Sequence, residues 1–163
     1  MKRSNKKGFT IVELVIVIAV IAILAAVLIP NLSRLVEKAN VSKAMQEAKA
    51  AMDNDLVEAN GDYTKMAAIT AEDGKQLYQV SLAKDASAAG YYLESTTGDT
   101  TTYTKQESSA TVAEGSVYYA AFNGTVELNS ENTAAVTYKY TANGYTSTFT
   151  IATGTWKTEK SAS

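Results

Sequence analysis

The chain has 163 residues, a formal net charge of −2 and neither cysteine nor histidine. The missing residue types exclude zinc sites of the usual ligand sets, thiol catalysis and histidine-based catalytic triads. Four of the 15 basic residues lie within the first seven positions, so the rest of the chain carries 11 basic and 17 acidic side chains. So acidic a protein is a poor non-specific binder of nucleic acid, because that binding depends on basic groups that displace counterions from phosphate.

Residues 1–8 form a basic leader ahead of an apolar run from Phe9 to Ile29. The run holds 21 residues. At about 1.5 Å of rise per residue, a helix of that length spans the ~30 Å hydrocarbon core of a bilayer. No A-x-A-like cleavage site follows the run, which argues against an ordinary secretory signal peptide. The basic side chains precede the run, so the positive-inside rule places the leader in the cytoplasm and the remaining chain outside.

A single charged residue, Glu13, lies inside the apolar run. An intramembrane carboxylate costs about 2.5–3.5 kcal/mol on insertion scales, and by default it is a functional group that requires a partner. A glutamate that snorkels to the interface near the start of a helix is the alternative interpretation.

The segment from Gly8 to Leu14 reads Gly-Phe-Thr-Ile-Val-Glu-Leu, and the rest of the apolar run and then Pro30 follow it. This combination resembles the cleavage and methylation segment of type IV prepilins, over about the first fifth of the chain. The resemblance implies that a membrane-embedded prepilin peptidase cleaves between Gly8 and Phe9 and methylates the new amino terminus at Phe9. The uncleaved chain would stay embedded in the membrane.

The resemblance also implies that Glu13 meets the new amine of Phe9 across a subunit contact during assembly. An opposite charge within a few ångströms favours the ionised acid, whereas one partner left alone in an apolar environment is severely destabilising. We therefore interpret Glu13 as the residue that sets the axial register between neighbouring subunits by favouring one stagger. Thr10 is interpreted as a nearby polar residue that assists it.

Pro30 follows the apolar run directly. It removes one backbone donor and clashes with the preceding turn, which favours a helix kink around residues 28–31. A gentle bend at the membrane surface is an equally good interpretation, because membrane helices tolerate proline.

Residues 30–60 predict an amphipathic helix that continues the first one, because apolar residues recur at spacings of three and four with one longer step. The predicted apolar stripe consists of Leu32, Leu35, Val36, Ala39, Met45, Ala48, Met52 and Leu56. Asn60-Gly61 predicts the helix end, since either residue tolerates the left-handed conformation at a helix C-terminus. A helix from Phe9 to Ala59 is too long for one small globule to bury, so its first half requires lipid or other subunits.

Residues 61–163 form a predicted connecting loop and β-rich head. Asn123-Gly124 predicts a hairpin between strands over 117–122 and 125–128, and Asn143-Gly144 a second hairpin between strands over 135–141 and 145–151. Residues 91–93 and 100–104 predict further strands. Residues 71–82 predict a short helix, since Glu72 and Asp73 suit its first turn.

These patterns predict an α+β fold in which an antiparallel sheet packs on the second half of the long helix. Val136, Tyr138 and Tyr140 are expected to face inward, and threonines and a lysine outward. This architecture matches the pilin-like fold that the resemblance implies. The predicted parts are the leader 1–8, the transmembrane and assembly helix 9–29, the amphipathic helix 30–60 and the head 61–163.

Two acidic clusters supply oxygen ligands without a recognisable metal motif. Asp53-Asn54-Asp55 and Asn60-Gly61-Asp62 lack the twelve-residue spacing and terminal glutamate of a helix-loop-helix calcium site, so we interpret them as ordinary polar residues near a helix end. No metal and no other cofactor is predicted. Asn123-Gly124-Thr125 fits a glycosylation sequon, although its turn role is a sufficient explanation.

The sequence thus predicts a structural subunit of a type IV pilus that polymerises through its N-terminal helix after leader cleavage, for adhesion, twitching motility or colonisation. It is not predicted to be an enzyme, since it contains no Walker loop, Gly-x-Ser-x-Gly elbow or dinucleotide fingerprint. The alternative is a pseudopilin of a type II secretion or competence system. The absence of cysteine makes the resemblance lean toward pilins of Gram-positive bacteria or toward pseudopilins.

The predicted partners are other copies of the chain in a helical polymer, the membrane before assembly, the prepilin peptidase and the pilus assembly machinery. No specific nucleic acid is predicted. The precursor is expected in the cytoplasmic membrane as a single-pass protein, and the mature subunit in an extracellular pilus.

Overall fold

The computed structural model describes residues 8–131 and 133–162. The predicted leader therefore lies outside the described residues, except for Gly8. The chain divides into two compact units, residues 1–40 and residues 41–163. Helix α1, Ile11–Glu58, contributes to both units.

In the first unit, nearly every described side chain is exposed. The large apolar side chains from Phe9 to Val36 expose between 46% and 84% of their surface. Among the described residues, α1 is the one helix long and apolar enough to cross a membrane, and the apolar window has no buried residue. The apolar helix is therefore confirmed, and nothing described in the first unit covers it.

The second unit contains the end of α1, the short helix α2, Tyr63–Met66, and two antiparallel four-stranded sheets. Sheet 1 has the strand order β1-β4-β2-β3 and consists of Leu77–Val80 (β1), Tyr92–Thr97 (β2), Thr100–Lys105 (β3) and Tyr118–Ala121 (β4). Sheet 2 has the order β5-β6-β7-β8 and consists of Thr125–Leu128 (β5), Ala135–Ala142 (β6), Tyr145–Thr150 (β7) and Thr155–Lys160 (β8). The α+β class is confirmed, with two sheets among the described residues.

Helix α1 ends where the sequence predicts. Asn60 and Gly61 have φ values of 53° and 79°. The Gly61 amide donates a hydrogen bond of 2.8 Å to the Leu56 carbonyl, which satisfies one of the last free acceptors of the helix.

The buried face of α1 differs from the predicted stripe by rotation around the helix. Within the second unit, the buried positions of α1 are Ala44, Ala48, Ala51 and Asp55, and Ala59, directly after the helix, is buried too. Of the predicted stripe residues from Met45 onward, Ala48 is buried, whereas Met45, Met52 and Leu56 flank the buried face and are half-buried. The centre of the buried face is thus formed by alanine, the smallest apolar side chain, with the larger apolar residues at its margins.

The inner face of sheet 2 packs against residues around the end of α1 and in α2, among them Ala59 and Met66. Tyr138 is fully buried, as predicted, and joins a core cluster with Met66, Phe122 and Val126. Tyr140 is half-buried. The prediction for Val136 was wrong, because Val136 lies near the start of β6 and exposes 44% of its surface.

The two Asn-Gly pairs that were predicted to form hairpins differ in structure. Asn143 and Gly144 have φ values of 54° and 78° and form the predicted two-residue hairpin between Ala142 and Tyr145. The hairpin predicted at Asn123-Gly124 was wrong, because β4 belongs to sheet 1 and β5 to sheet 2. That pair connects the sheets instead, and the hydrogen bonds that hold it there are described below.

Two further predictions need correction or extension. The helix predicted over 71–82 was wrong, since the chain turns at Gly74, with φ 80°, and then enters β1, which pairs with β4. The predicted strands around 91–93 and 100–104 are confirmed as β2 and β3. Strand β8 and helix α2 were not predicted, and Asp62 caps α2 by accepting a 2.9 Å hydrogen bond from the Thr64 amide.

Candidate processing and assembly site

The predicted cleavage site lies just outside the first helix. Gly8, Phe9 and Thr10 have no regular secondary structure, and α1 begins at Ile11. The Phe9 side chain is 84% exposed. The peptide bond between Gly8 and Phe9 therefore lies outside the hydrogen-bonded part of the helix.

Thr10 and Glu13 form a capping box at the start of α1. The Thr10 amide and hydroxyl both donate to Oε2 of Glu13, at 2.9 and 2.7 Å, and the Glu13 amide donates to the Thr10 hydroxyl oxygen at 3.3 Å. In such a box the first and fourth residues of a Thr-x-x-Glu motif satisfy each other's free donors. The structure thus brings these two predicted site residues together.

The geometry leaves the Glu13 carboxylate able to bind a further donor. Both Thr10 donors contact the same oxygen, Oε2, whereas an ionised carboxylate has acceptor sites on both of its oxygens. An ammonium group that approaches Oε1 could therefore pair with Glu13 without displacing Thr10.

Pro30 lies within the residues assigned to α1, but its side chain is outside the described part of the structure. One turn later, the Ser33 hydroxyl donates to the Ile29 carbonyl at 3.3 Å. A serine that bonds back to the preceding turn often accompanies helix bending. The kink at Pro30 stays a prediction.

A second polar site, which the sequence did not reveal, lies in the second unit at Asp55. Its side chain is 1% exposed and accepts four hydrogen bonds from distant parts of the chain. Oδ1 accepts from the amide and the Nδ2 of Asn123, at 2.8 and 2.7 Å. Oδ2 accepts from the Gly124 amide and the Tyr138 hydroxyl, both at 2.8 Å. This carboxylate ties α1 to the connection between the two sheets.

The Asp55 contacts explain why Asn123-Gly124 does not form a hairpin. Both backbone amides of the pair point at the carboxylate. Gly124 is buried so closely that a Cβ atom would lie 2.3 Å from the Tyr138 ring. The Asn123 amide nitrogen that a glycan would occupy is also engaged, which argues against use of the sequon.

Gln76, the residue directly before β1, binds sheet 2 in a similar manner. Its Nε2 donates to the Val126 carbonyl at 2.8 Å, and its Oε1 accepts from the Val126 amide at 2.7 Å. The side-chain amide thereby satisfies both backbone groups of Val126 on β5, an edge strand of sheet 2.

Sequence reasoning missed Asp55 because the cluster 53–55 was interpreted as exposed. One signal was available. Asp55 lies four residues after Ala51 and seven after Ala48, which places its side chain on the alanine face of the helix. An acid at the core spacing of an amphipathic helix predicts a buried hydrogen-bond hub.

The remaining polar pairs of the head are structural in character. The Tyr92 hydroxyl donates to Asp73 at 2.8 Å, and the Tyr119 hydroxyl donates to Glu94. Burial and then the Asp73 hydrogen bond raise the pKa of Tyr92 to about 12. Burial, followed by the Glu94 hydrogen bond, likewise raises the pKa of Tyr119.

The described residues show no arrangement of ligands for a metal ion. Within 8–131 and 133–162, no group of three or more Asp or Glu side chains converges in a way that could hold a metal. Asp55 is committed to internal hydrogen bonds, whereas Asp53 and Asn54 are exposed. An open depression of about 500 Å³ beside α2 and β5 is lined by Thr64, Ala67, Ala68, Val126 and Leu128, a set without an acid or base.

Residues 3–29 match the family model described as the prokaryotic N-terminal methylation motif. The matched range includes Gly8, Phe9, Thr10 and Glu13, so the segment that resembles that of type IV prepilins is confirmed as a prokaryotic N-terminal methylation motif.

Curated relatives point to the same class. The type IV wide pilus major component PilA4 of Thermus thermophilus is 69% identical over 36 residues, which cover 22% of this chain and 28% of that protein. The type IV major fimbrial protein FimA of Dichelobacter nodosus is 47% identical over 45 residues, or 28% of this chain and 29% of the relative. The chain thus spans less than a third of the length of these relatives. No solved structure matches the chain significantly.

Proposed function

We propose that this chain is the precursor of a structural subunit of a type IV pilus. The observation that carries the proposal is the methylation motif together with an exposed apolar helix that contains one carboxylate, Glu13. The prepilin peptidase cleaves after Gly8 and methylates the amine of Phe9. The mature subunits then polymerise through α1, and the protein has no enzymatic role.

Assembly replaces lipid by neighbouring helices around the apolar part of α1. Between apolar helices in a membrane, association depends on close van der Waals packing and on polar contacts. Ala19, Ala22, Ala25 and Ala26 leave room for a neighbouring helix to approach closely. Glu13 pairs with the cleaved amine of another copy, and because an unpaired partner is strongly destabilising there, this pair selects one stagger.

In the fibre, the second unit forms the outer surface. The outward face of sheet 2 supports this, since it carries rows of threonine together with an ion pair between Glu127 and Lys139. Polar side chains of this kind suit a surface in contact with water. We propose adhesion, twitching motility or surface colonisation as the use of the fibre, with assembly by separate pilus machinery.

The proposed location follows from the same features. The precursor lies in the cytoplasmic membrane as a single-pass protein, with the basic leader in the cytoplasm. After cleavage and extraction by the assembly machinery, the subunit is part of an extracellular pilus.

Replacement of Glu13 by alanine or valine tests the proposal. The variants should insert into the membrane and be cleaved, but filaments should be absent from electron micrographs because the registry pair is lost. Glu37, which is exposed on α1 beyond the apolar run, offers a matched control, and E37A should still form filaments. Normal filament yield from E13A would refute the role of Glu13.

The wild-type chain in the same micrographs distinguishes the two kinds of assembly. Long surface fibres that contain the chain would support a pilus subunit. If only short structures tied to protein secretion or DNA uptake are found, the chain is a pseudopilin.

A further inference from the structure

Three Asn-Gly pairs occur in the chain, at 60–61, 123–124 and 143–144. In this dipeptide the glycine nitrogen can attack the asparagine side-chain carbonyl carbon, because glycine has no side chain to obstruct the approach. Ammonia leaves, a succinimide ring forms, and water opens the ring to aspartate or isoaspartate. The net reaction consumes one water molecule, releases one ammonia and requires no oxidant or enzyme.

At two of the pairs the attacking nitrogen is engaged. The Gly61 amide donates to the Leu56 carbonyl at 2.8 Å and so belongs to the end of α1. The Gly124 amide donates to Asp55 at 2.8 Å, and Gly124 packs against the Tyr138 ring. Ring closure at either pair requires these hydrogen bonds to open first.

The third pair lacks this protection. Within residues 8–131 and 133–162, the Gly144 amide has no hydrogen-bond acceptor, while its carbonyl accepts from the Ser161 amide at 2.8 Å. Asn143 and Gly144 are both exposed, and no atom lies near the open side of Gly144. Attack at this hairpin tip therefore distorts two exposed residues and opens no core contact.

We propose that Asn143 is a site of spontaneous deamidation and that the reaction loosens the β6–β7 hairpin from α1. The Asn143 Nδ2 donates to Oε2 of Glu47 at 2.7 Å, and Glu47 also lies 3.7 Å from the ammonium of Lys43. Deamidation removes the donor and places a second carboxylate beside Glu47. A hydrogen bond that held the hairpin tip is thereby replaced by repulsion between two carboxylates, which weakens this contact. Because the reaction is spontaneous, the modified form accumulates with the age of the protein.

Tryptic mass spectrometry of the aged full-length chain, folded in detergent, tests the first part. Trypsin cleaves after Lys49, Lys65, Lys105, Lys139 and Lys157, so the three pairs fall in separate peptides, 50–65, 106–139 and 140–157. We expect the Asn-Gly pair in peptide 140–157 to deamidate roughly tenfold faster than the pairs in the other two peptides. Each of those pairs must first break the hydrogen bond of its glycine amide, which at Gly124 goes to the Asp55 carboxylate. Fragmentation assigns the converted residue.

The chain in denaturant is the control. All three pairs should then convert at similar rates, because the protecting hydrogen bonds are gone, and N143Q should abolish conversion of peptide 140–157. Equal rates in the folded chain, or an unchanged order in denaturant, would overturn the proposal.

Hydrogen exchange tests the consequence. In N143D, peptide 140–157 should exchange faster than in the unmodified chain. Adding E47Q should restore protection, because an amide at position 47 can donate to the new carboxylate. Unchanged exchange in N143D would show that the contact with Glu47 does not hold the hairpin.

Discussion

Asp55 shows how one side chain can determine the path of a distant segment. A buried carboxylate is tolerated only when donors surround it, and here two backbone amides, one side-chain amide and one hydroxyl supply four hydrogen bonds. The donors come from a connection and a strand that lie far from Asp55 in sequence. The carboxylate therefore fixes the point at which the chain passes from sheet 1 to sheet 2.

Replacement of Asp55 by alanine should be among the most destabilising changes in the second unit. It leaves the Gly124 amide and the Tyr138 hydroxyl buried without an acceptor, and we expect a loss of about 3 kcal/mol or more in the free energy of unfolding. Urea unfolding of the full-length chain in detergent measures this loss. Asp53→Ala is the control and should change stability by less than about 0.5 kcal/mol, because Asp53 is exposed. Similar midpoints for both variants would contradict the role of Asp55.

The hydrogen bond between Tyr92 and Asp73 predicts a pH dependence at each end of the scale. The hydrogen bond from Tyr92 is the main cause of the lowered pKa of Asp73. A carboxyl with a lowered pKa stabilises the fold above its unfolded pKa, and this contribution is lost as the pH falls through the folded value. Tyr92, with its pKa raised to about 12, contributes below its unfolded pKa and loses that contribution as the pH rises toward 12.

The variant Y92F should therefore raise the pKa of Asp73 toward its ordinary value, which can be followed by the carboxyl carbon shift in an NMR titration. Asp62 provides an internal reference, since its pKa is lowered by Thr64 and should not move. An unchanged Asp73 titration in Y92F would mean that the tyrosine hydroxyl does not stabilise the carboxylate.

At the scale of elements, the same dipeptide gives two different structures. Asn143-Gly144 adopts the left-handed conformations that a two-residue hairpin requires. Gly124 does not have a positive φ, and the absence of a side chain serves its close approach to Tyr138. Local turn chemistry thus predicted one connection correctly and failed at the other, where the competing acceptor lies 68 residues away in the sequence.

Alanine substitutions should separate these two roles of glycine. A Cβ at position 124 would lie 2.3 Å from Tyr138 and 2.6 Å from the Lys139 carbonyl, so Gly124→Ala must displace core atoms. We expect a loss of about 3 kcal/mol, at the upper end for overpacking. Gly144→Ala meets open space and should cost only about 1–2 kcal/mol, from its positive φ. Thermal unfolding compares the two, and a greater loss in G144A would contradict this assignment.

The elements differ in how accurately they could be predicted from the sequence. The apolar run, the helix end at Asn60-Gly61 and strands β2 to β7 follow from periodicity and turn residues. Strand β1 was assigned to a helix because Glu72-Asp73 resembles a first turn, whereas its pairing with β4 decides the conformation. The buried face of α1 differs from the predicted one because hydrophobicity favours methionine in the prediction, whereas the structure buries alanine and leaves Met45 and Met52 half-buried at the margins.

At the scale of the whole molecule, the two units contrast in what they bury. The second unit has three core clusters and satisfied buried polar groups, whereas the described part of the first unit buries almost nothing. The sequence predicted this contrast, since a 21-residue apolar run after a basic leader indicates a membrane helix. The capping contact between Thr10 and Glu13 was not predicted, although the Thr-x-x-Glu spacing is a recognised signal for it.

Processing of the leader can be tested on the whole chain. Chain purified from its native membranes should begin at Phe9 and carry one methyl group, as intact-mass measurement would reveal. Gly8→Val should retain residues 1–8, because a branched side chain is placed at the scissile bond. Asn5→Ala, a change elsewhere in the leader, should still be cleaved. Full processing of G8V would show that the glycine is not required.

The paired amide of Gln76 has a consequence for how these proteins can crowd together. Unoccupied backbone groups on an outer strand invite pairing with a second molecule and can start amyloid-like aggregation. Gln76 forms hydrogen bonds with the backbone amide and carbonyl of Val126 on edge strand β5. The other edge strand of sheet 2, β8, carries the charged residues Lys157, Glu159 and Lys160. If the proposed function is right, copies of the precursor that lie side by side in a membrane would therefore be hindered from pairing their sheets, and contact between the helices would be left as the route of assembly.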